Sequence, residues 1–181
     1  MTTTRVLVTG GSRSGKSRHA ESLLSGADVD YVATGFPPSP DDPDWAERVR
    51  LHRARRPGSW STIETLDVAD VLAADSGRPV LVDCLSLWLT RVIDRCGGWD
   101  GSMPHALARE VDALVGAVRT TARPVVLVTN EVGWGVVPAH ESGRVFRDLL
   151  GVLNAQVAAE CDEVWLCVSG IPLRVKQGAR A

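Results

Sequence analysis

The chain has 181 residues, 44% hydrophobic and 23% charged, an ordinary balance for one folded domain over residues 1–181. Its 20 Lys and Arg against 22 Asp and Glu leave a formal charge of −2, which argues against a broad nucleic-acid-binding face. No apolar run approaches the roughly 20 residues of a membrane-spanning helix. Met1-Thr2-Thr3-Thr4-Arg5 also lacks the apolar core of a signal peptide, so a cytoplasmic protein is expected.

Taken in chain order, Arg5–Thr9 reads as a strand and Lys16–Leu24 as a helix, followed by a strand at Asp30–Thr34. Phe36–Pro43 holds four prolines and is an irregular loop. Helices are expected at Asp44–Arg55 and Val68–Ala74, a strand at Pro79–Asp83 and a helix at Leu85–Arg95. The Gly-rich loop Cys96–Met103 leads to a helix at Pro104–Arg119 and a strand at Pro124–Thr129. A second Gly-containing loop, Asn130–Ser142, precedes a helix at Gly143–Glu160 and a strand at Glu163–Val168. The tail after Lys176 is expected to fray.

The strands are short, Val-rich and mostly continuous in their apolar character, the pattern of strands buried on both faces of a parallel sheet. The helix at Gly143–Glu160 carries Val145, Phe146, Leu149, Leu150, Leu153, Val157 and Ala158 as a stripe for the core. An α/β fold follows: a mostly parallel sheet with helices on both faces. Ligands bind beyond the carboxyl ends of such strands, where the loops after Asp30–Thr34 and Pro124–Thr129 lie. Cys84, Cys96, Cys161 and Cys167 show no paired metal spacing and are read as reduced thiols, without disulfide or zinc.

Between the first strand and helix, Gly10-Gly11-Ser12-Arg13-Ser14-Gly15-Lys16-Ser17 matches the phosphate-binding loop G-x-x-x-x-G-K-[ST]. Glycines let the backbone wrap phosphates, while N–H groups and the helix N-terminus point at their charge. Lys16 would reach the β- and γ-phosphates, and the Ser17 hydroxyl would ligate Mg²⁺. Lys16 and Lys176 are the only lysines, so a lysine at this position carries weight. The P-loop marks a nucleoside triphosphate site of P-loop NTPase type. Asp83, ending a strand, is the candidate second Mg²⁺ residue; a helix N-cap is its bland alternative.

Arg48, Arg50, Arg53, Arg55 and Arg56 surround His52, and in a helix Arg48, His52 and Arg55 share a face. Cationic neighbours favour a neutral imidazole with a lone pair free for nucleophilic attack, though a solvated basic helix explains the same spacing. His19, His105 and His140 are read as exposed or capping residues, and Trp134, between two glycines, as a possible ligand contact.

Several segments together resemble one family. They are the P-loop, Tyr31-Val32-Ala33-Thr34, Arg48-Val49-Arg50-Leu51-His52 with Arg56-Pro57, and Trp60-Ser61-Thr62-Ile63-Glu64. Asp83-Cys84-Leu85 follows, then Asn130-Glu131-Val132-Gly133-Trp134-Gly135-Val136-Val137-Pro138 and Phe146-Arg147-Asp148. Val164-Trp165-Leu166 and Ser169-Gly170-Ile171-Pro172 close the set. The chain resembles the bifunctional adenosylcobinamide kinase/adenosylcobinamide-phosphate guanylyltransferase family of cobalamin biosynthesis.

The resemblance implies phosphorylation of adenosylcobinamide by ATP or GTP. Transfer of GMP from GTP to adenosylcobinamide phosphate follows, by way of a guanylylated histidine. That histidine falls on His52. The implied nucleotide contacts fall on the P-loop, on Ala33, Thr34 and Gly35, on Arg53, Ala54, Arg55 and Arg56, and on Glu64 and Asp83. A homotrimer is implied as well. Where relatives commonly carry acidic-x-Glu-Met before the histidine helix, this chain has Asp42-Pro43-Asp44-Trp45. A kinase without guanylyl transfer, or a nucleotide-dependent switch module, are the readings that remain beside it.

Overall fold

The structure, a computed structural model, describes residues 4–178. It contains strands β1 (Arg5–Gly10), β2 (Asp30–Ala33), β3 (Ser61–Glu64), β4 (Val80–Asp83), β5 (Val125–Val128), β6 (Glu163–Val168) and β7 (Ile171–Lys176). Its helices are α1 (Lys16–Leu23), α2 (Pro43–Arg55), α3 (Val68–Ala73), α4 (Leu85–Cys96), α5 (His105–Thr120) and α6 (Glu141–Glu160). The strands form one sheet in the order β3-β2-β4-β5-β1-β6-β7. All neighbours run parallel except β6 and β7, which form an antiparallel pair. The expected N-terminal run into β1 and the expected frayed tail both reach outside the described residues, at 1–3 and 179–181.

Alternate side chains of the central strands enter two separate cores. Val80 and Val82 of β4, with Val125 and Leu127 of β5, pack against α3–α6; Leu81, Val126 and Val128 pack on the other side with Ala20 of α1. Helices therefore cover both faces. Each fully buried Leu or Val contributes about 1.5–3 kcal/mol, and the central strands are buried almost throughout. Most of the α6 stripe faces the core as its spacing implies: Leu150, Leu153 and Val157 are fully buried, with Phe146, Leu149 and Ala158 packed beside them, while Val145 is half-buried outside that cluster.

Two strands escape the sequence pattern, β3 and β7, and both are edge strands. Edge strands keep one flank in water, so their residues need not be continuously apolar. Most residues of Ser61–Glu64 and Ile171–Lys176 are exposed. Pro172 in β7 further masks the strand, since Pro is tolerated only where no ladder donor is needed.

At the amino ends of the strands a polar clamp ties three segments together. Arg123, only 5% exposed, pairs with Asp30 at the start of β2 and donates to the carbonyls of Arg78 and Val71, both at 2.7 Å. Ser76 Oγ donates to the same Asp30 carboxylate at 3.0 Å. Removing one partner of a buried pair costs up to about 3–5 kcal/mol, and Arg78, 3.4 Å from Asp30, keeps a second cation beside the carboxylate. Arg123→Ala is expected to lower stability by at most that amount in urea titration. A loss below about 1 kcal/mol would show that water replaces the guanidinium without penalty. Among the described residues no helix is long and apolar enough to cross a membrane.

Candidate active site

The loop between β1 and α1 is shaped by its glycines. A Cβ on Gly10 would sit 2.5 Å from the Cys167 carbonyl oxygen, so no other residue fits there. Gly15 caps α1 with φ of 91°, in the left-handed region, and lies against Gly170 of the β6–β7 turn. The Gly170 N–H donates to the Ser14 carbonyl at 2.9 Å, bracing the loop from the edge hairpin. Lys16, 8% exposed, donates from Nζ to the Gly11 carbonyl at 3.2 Å. Burial pulls its ammonium down from the ordinary lysine range, against the opposing pull of Cys84 and Asp83.

A cavity of about 190 Å³ opens at the carboxyl ends of β2 and β4. Lys16 and Ser17 line its floor, Asp83 and Cys84 one wall, and Ala33, Gly35 and Phe36 another. Its roof is one face of α2, with Trp45, Arg48, Val49, His52, Arg53 and Arg56 at helical spacing. Asn130, two residues beyond β5, completes the lining.

The helix α2 buries none of its own residues and is held by polar contacts. Asp42 caps it by accepting from the Trp45 N–H at 2.9 Å, and Pro43 occupies its first turn. Trp45 donates from its indole to the Phe36 carbonyl at 2.9 Å, closing the proline-rich loop on the helix. Arg53 pairs with Glu64 of β3, and Arg56 donates to Thr62 Oγ1 at 3.0 Å. Arg55 turns to Glu21 of α1 at 3.1 Å. Arg53, Arg55 and Arg56 are thus tethers to β3 and α1, while Arg50 pairs with Glu47 within α2 at 2.6 Å. Arg48, on the cavity, has no ion pair among the described residues.

His52 Nδ1 faces Asp83 Oδ2 at 3.7 Å. The same oxygen accepts from the Tyr31 hydroxyl at 2.9 Å. Burial alone would push the Asp83 carboxyl up, but His52, Tyr31 and Lys16 outweigh it and hold the group below its usual range. Burial, with Asp83 beside it, pushes the Tyr31 phenol well above its ordinary value. The imidazole on α2 therefore faces a carboxylate from β4, which helical spacing of arginines could not reveal.

Residues 6–175 match the model of the cobinamide kinase / cobinamide phosphate guanyltransferase family. The chain belongs to that family. It is 41% identical to the bifunctional adenosylcobalamin biosynthesis protein CobU of Salmonella typhimurium, over 94% of this chain and 99% of that one. It is also 41% identical to CobP of Pseudomonas aeruginosa, described by the same bifunctional role, over 95% and 97% of the two chains. Among solved structures, an ATP synthase subunit from Nanoarcheaum equitans superposes with a TM-score of 0.52 at 11% identity. That match covers 91% of this chain and 47% of the other, and it shows the fold alone.

In this family member, Lys16, Ser17, Ala33, Gly35, Arg53, Arg56, Glu64 and Asp83 all border the cavity with His52. Gly10, Gly11, Ser12, Arg13, Ser14 and Gly15 build the loop beneath it. Thr34, Ala54 and Arg55 do not line it: Thr34 is fully buried and donates to the Cys84 carbonyl at 2.7 Å. Asp83 does not cap α4; Cys84 holds that position. Sequence reasoning missed Tyr31 and Thr62 as site residues, which lie on β2 and β3, far in sequence from the P-loop. Asn130, in the loop expected to line a site, does line the cavity. His19 corrects an expectation, since it is neither exposed nor a cap. Its ring packs on Trp165 at 4.8 Å with Nε2 buried and unpartnered, and burial lowers its pKa. His140 does cap α6, and His105 is exposed at the start of α5. Trp134 stands 74% exposed outside the cavity.

Proposed function

We propose that this protein phosphorylates the aminopropanol hydroxyl of adenosylcobinamide with ATP or GTP. It then transfers GMP from GTP, through His52, to adenosylcobinamide phosphate, giving adenosylcobinamide-GDP. The observation that carries this reading is the single cavity shared by the P-loop lysine and the candidate nucleophile. One triphosphate pocket serves both reactions in it, and the class of each reaction follows from which phosphorus meets which nucleophile.

In the transferase step the triphosphate tail lies on the P-loop, with Lys16 and the loop N–H groups matching its charge. His52, hanging from the roof, attacks the α-phosphorus, and pyrophosphate leaves toward Lys16. Arg48 and the tethered Arg53 and Arg56 supply fixed positive charge where negative charge develops, the main form of assistance in such displacements. The tethers hold α2 over the loop, so the nucleophile is positioned before reaction rather than during it. In the kinase step the corrinoid hydroxyl is the nucleophile instead of the imidazole, and it meets the γ-phosphorus at the far end of the same triphosphate.

The donor set fits Mg²⁺. Ser17 and Asp83 offer hard oxygen ligands on one cavity, and Mg²⁺ is ordinarily bound by one or two carboxylates with phosphates and waters. When bound there, it would neutralise phosphate charge. A homo-oligomer is part of this reading, supported by the exposed apolar row Ile171, Leu173 and Val175 on edge strand β7.

The test uses GTP labelled at the α-phosphate, with Mg²⁺, followed by denaturation. Acid-labile, alkali-stable label is expected on the protein, and adenosylcobinamide phosphate is expected to discharge it. Phosphorylation of adenosylcobinamide without any retained label would reduce the protein to a kinase. Hydrolysis indifferent to the corrinoid would point instead to a nucleotide switch.

A further inference from the structure

We propose that Asp83 is the positioning residue for the guanylylated histidine: it keeps the proton on Nδ1 of His52 and so makes Nε2 the attacking atom. The inference rests on the reading of His52 as nucleophile and adds which nitrogen reacts and what selects it. An ionised carboxylate only accepts hydrogen bonds, so the ring nitrogen facing it is the one that carries hydrogen. In a neutral imidazole the other nitrogen then holds the lone pair. Here the nitrogen facing Asp83 Oδ2 is Nδ1.

The carboxylate is itself fixed. Tyr31 donates to Oδ2, the very oxygen that faces the imidazole. The Arg56 guanidinium lies 3.8 Å above the Tyr31 ring, and its Nε donates to the His52 carbonyl at 3.3 Å. One arginine therefore joins the backbone of the nucleophile to the tyrosine that aims the carboxylate. At 3.7 Å the Asp83–His52 contact is longer than a hydrogen bond. Such contacts are often long before substrate binds and shorten in the reacting complex. A carboxylate has two oxygens, and with Tyr31 and His52 both on Oδ2 the other remains for a second role.

The step balances without a proton transfer. The Nε2 lone pair forms the bond to the α-phosphorus, and the bond from that phosphorus to the bridging oxygen breaks. Pyrophosphate departs with the electron pair. The ring, guanylylated at Nε2 and still protonated at Nδ1, becomes cationic, and Asp83 balances it. A phosphate oxygen of the acceptor then attacks the same phosphorus, and Nε2 recovers its pair.

Two readouts test this independently of turnover. In protein labelled with ¹⁵N-histidine, free of nucleotide and metal, at about pH 8 where an ordinary imidazole is neutral, His52 is expected to show hydrogen on Nδ1. Asp83→Asn is expected to abolish that preference, and to slow guanylylation on the order of 10⁴-fold, as loss of an orienting carboxylate does in serine proteases. In the wild-type protein loaded from GTP, removal of the guanosine leaves a phosphohistidine whose isomers separate, and the Nε2 isomer is expected. Hydrogen on Nε2 in the free protein, or the Nδ1 isomer after loading, overturns the proposal even if Asp83→Asn fails to fold. A wild-type protein that takes no label at all sinks the nucleophile reading instead, so the two failures are distinct.

Discussion

His52→Ala is expected to abolish retained GMP label while leaving corrinoid phosphorylation within a few-fold of the wild type. His52 sits on the α2 roof of the cavity, whereas the phosphate loop is built from β1, α1 and the β6–β7 turn. The histidine side chain supports no core, because α2 buries none of its residues. Alanine is also a better helix former than histidine, so α2 should persist. The helix's tethers through Arg53, Arg55 and Arg56 are untouched by the change. A covalent step has no substitute when its nucleophile is gone, hence total loss of label rather than a reduction. The measurement is paired: α-labelled GTP for guanylylation, γ-labelled ATP or GTP for phosphorylation of adenosylcobinamide, with a thermal melt as control. Equal collapse of both activities in a folded variant would mean that His52 is needed by the kinase step too.

How far the sequence anticipated this site depends on whether the relevant contacts are local. The P-loop is local: its glycines, lysine and serine are consecutive, and their chemistry is bound to that order. The central strands were legible for a related reason, since burial on both faces demands unbroken apolar runs such as Val125–Val128. The edge strands β3 and β7 were not, because exposure frees their sequences from that demand. The Asp83–His52 approach was equally hidden. It joins residues on α2 and at the end of β4, and only the parallel pairing of β2 with β4 brings Tyr31 to the same carboxylate. The cluster around His52 looked like a cationic patch because arginine spacing is visible in a sequence. Its partners Glu21, Thr62 and Glu64, which turn the arginines into tethers, are not. The Asp42-Pro43-Asp44-Trp45 departure supplies a capped helix start and an indole that closes the loop before it, contacts that the sequence alone does not display.

Lys16→Ala is expected to depress both reactions together, by about 10²–10³-fold or more, the scale seen when one charge-stabilising donor is lost. Lys16 is the buried cation on the cavity floor, and its Nζ is held by the Gly11 carbonyl within the loop. In guanylyl transfer that ammonium would meet the departing pyrophosphate; in phosphoryl transfer, the β- and γ-phosphates. Arg48, Arg53 and Arg56 reach the cavity from α2 and its C-cap, whereas Lys16 is the cation that the phosphate loop itself supplies. The alanine variant also removes a buried aliphatic stem, so lost packing competes with lost charge as the explanation. Lys16→Met separates them, keeping most of the volume and discarding the ammonium. If charge is what matters, the methionine variant melts near the wild type and is as inactive as alanine in both assays, while nucleotide affinity falls. Should Lys16→Met keep full guanylylation, the ammonium would be a packing element of the loop, and the shared-pocket mechanism would lose its phosphate-binding half. The same pair of assays that splits in His52→Ala must therefore fall in parallel here, and that contrast between one residue on the roof and one on the floor is what a single pocket with two chemistries requires.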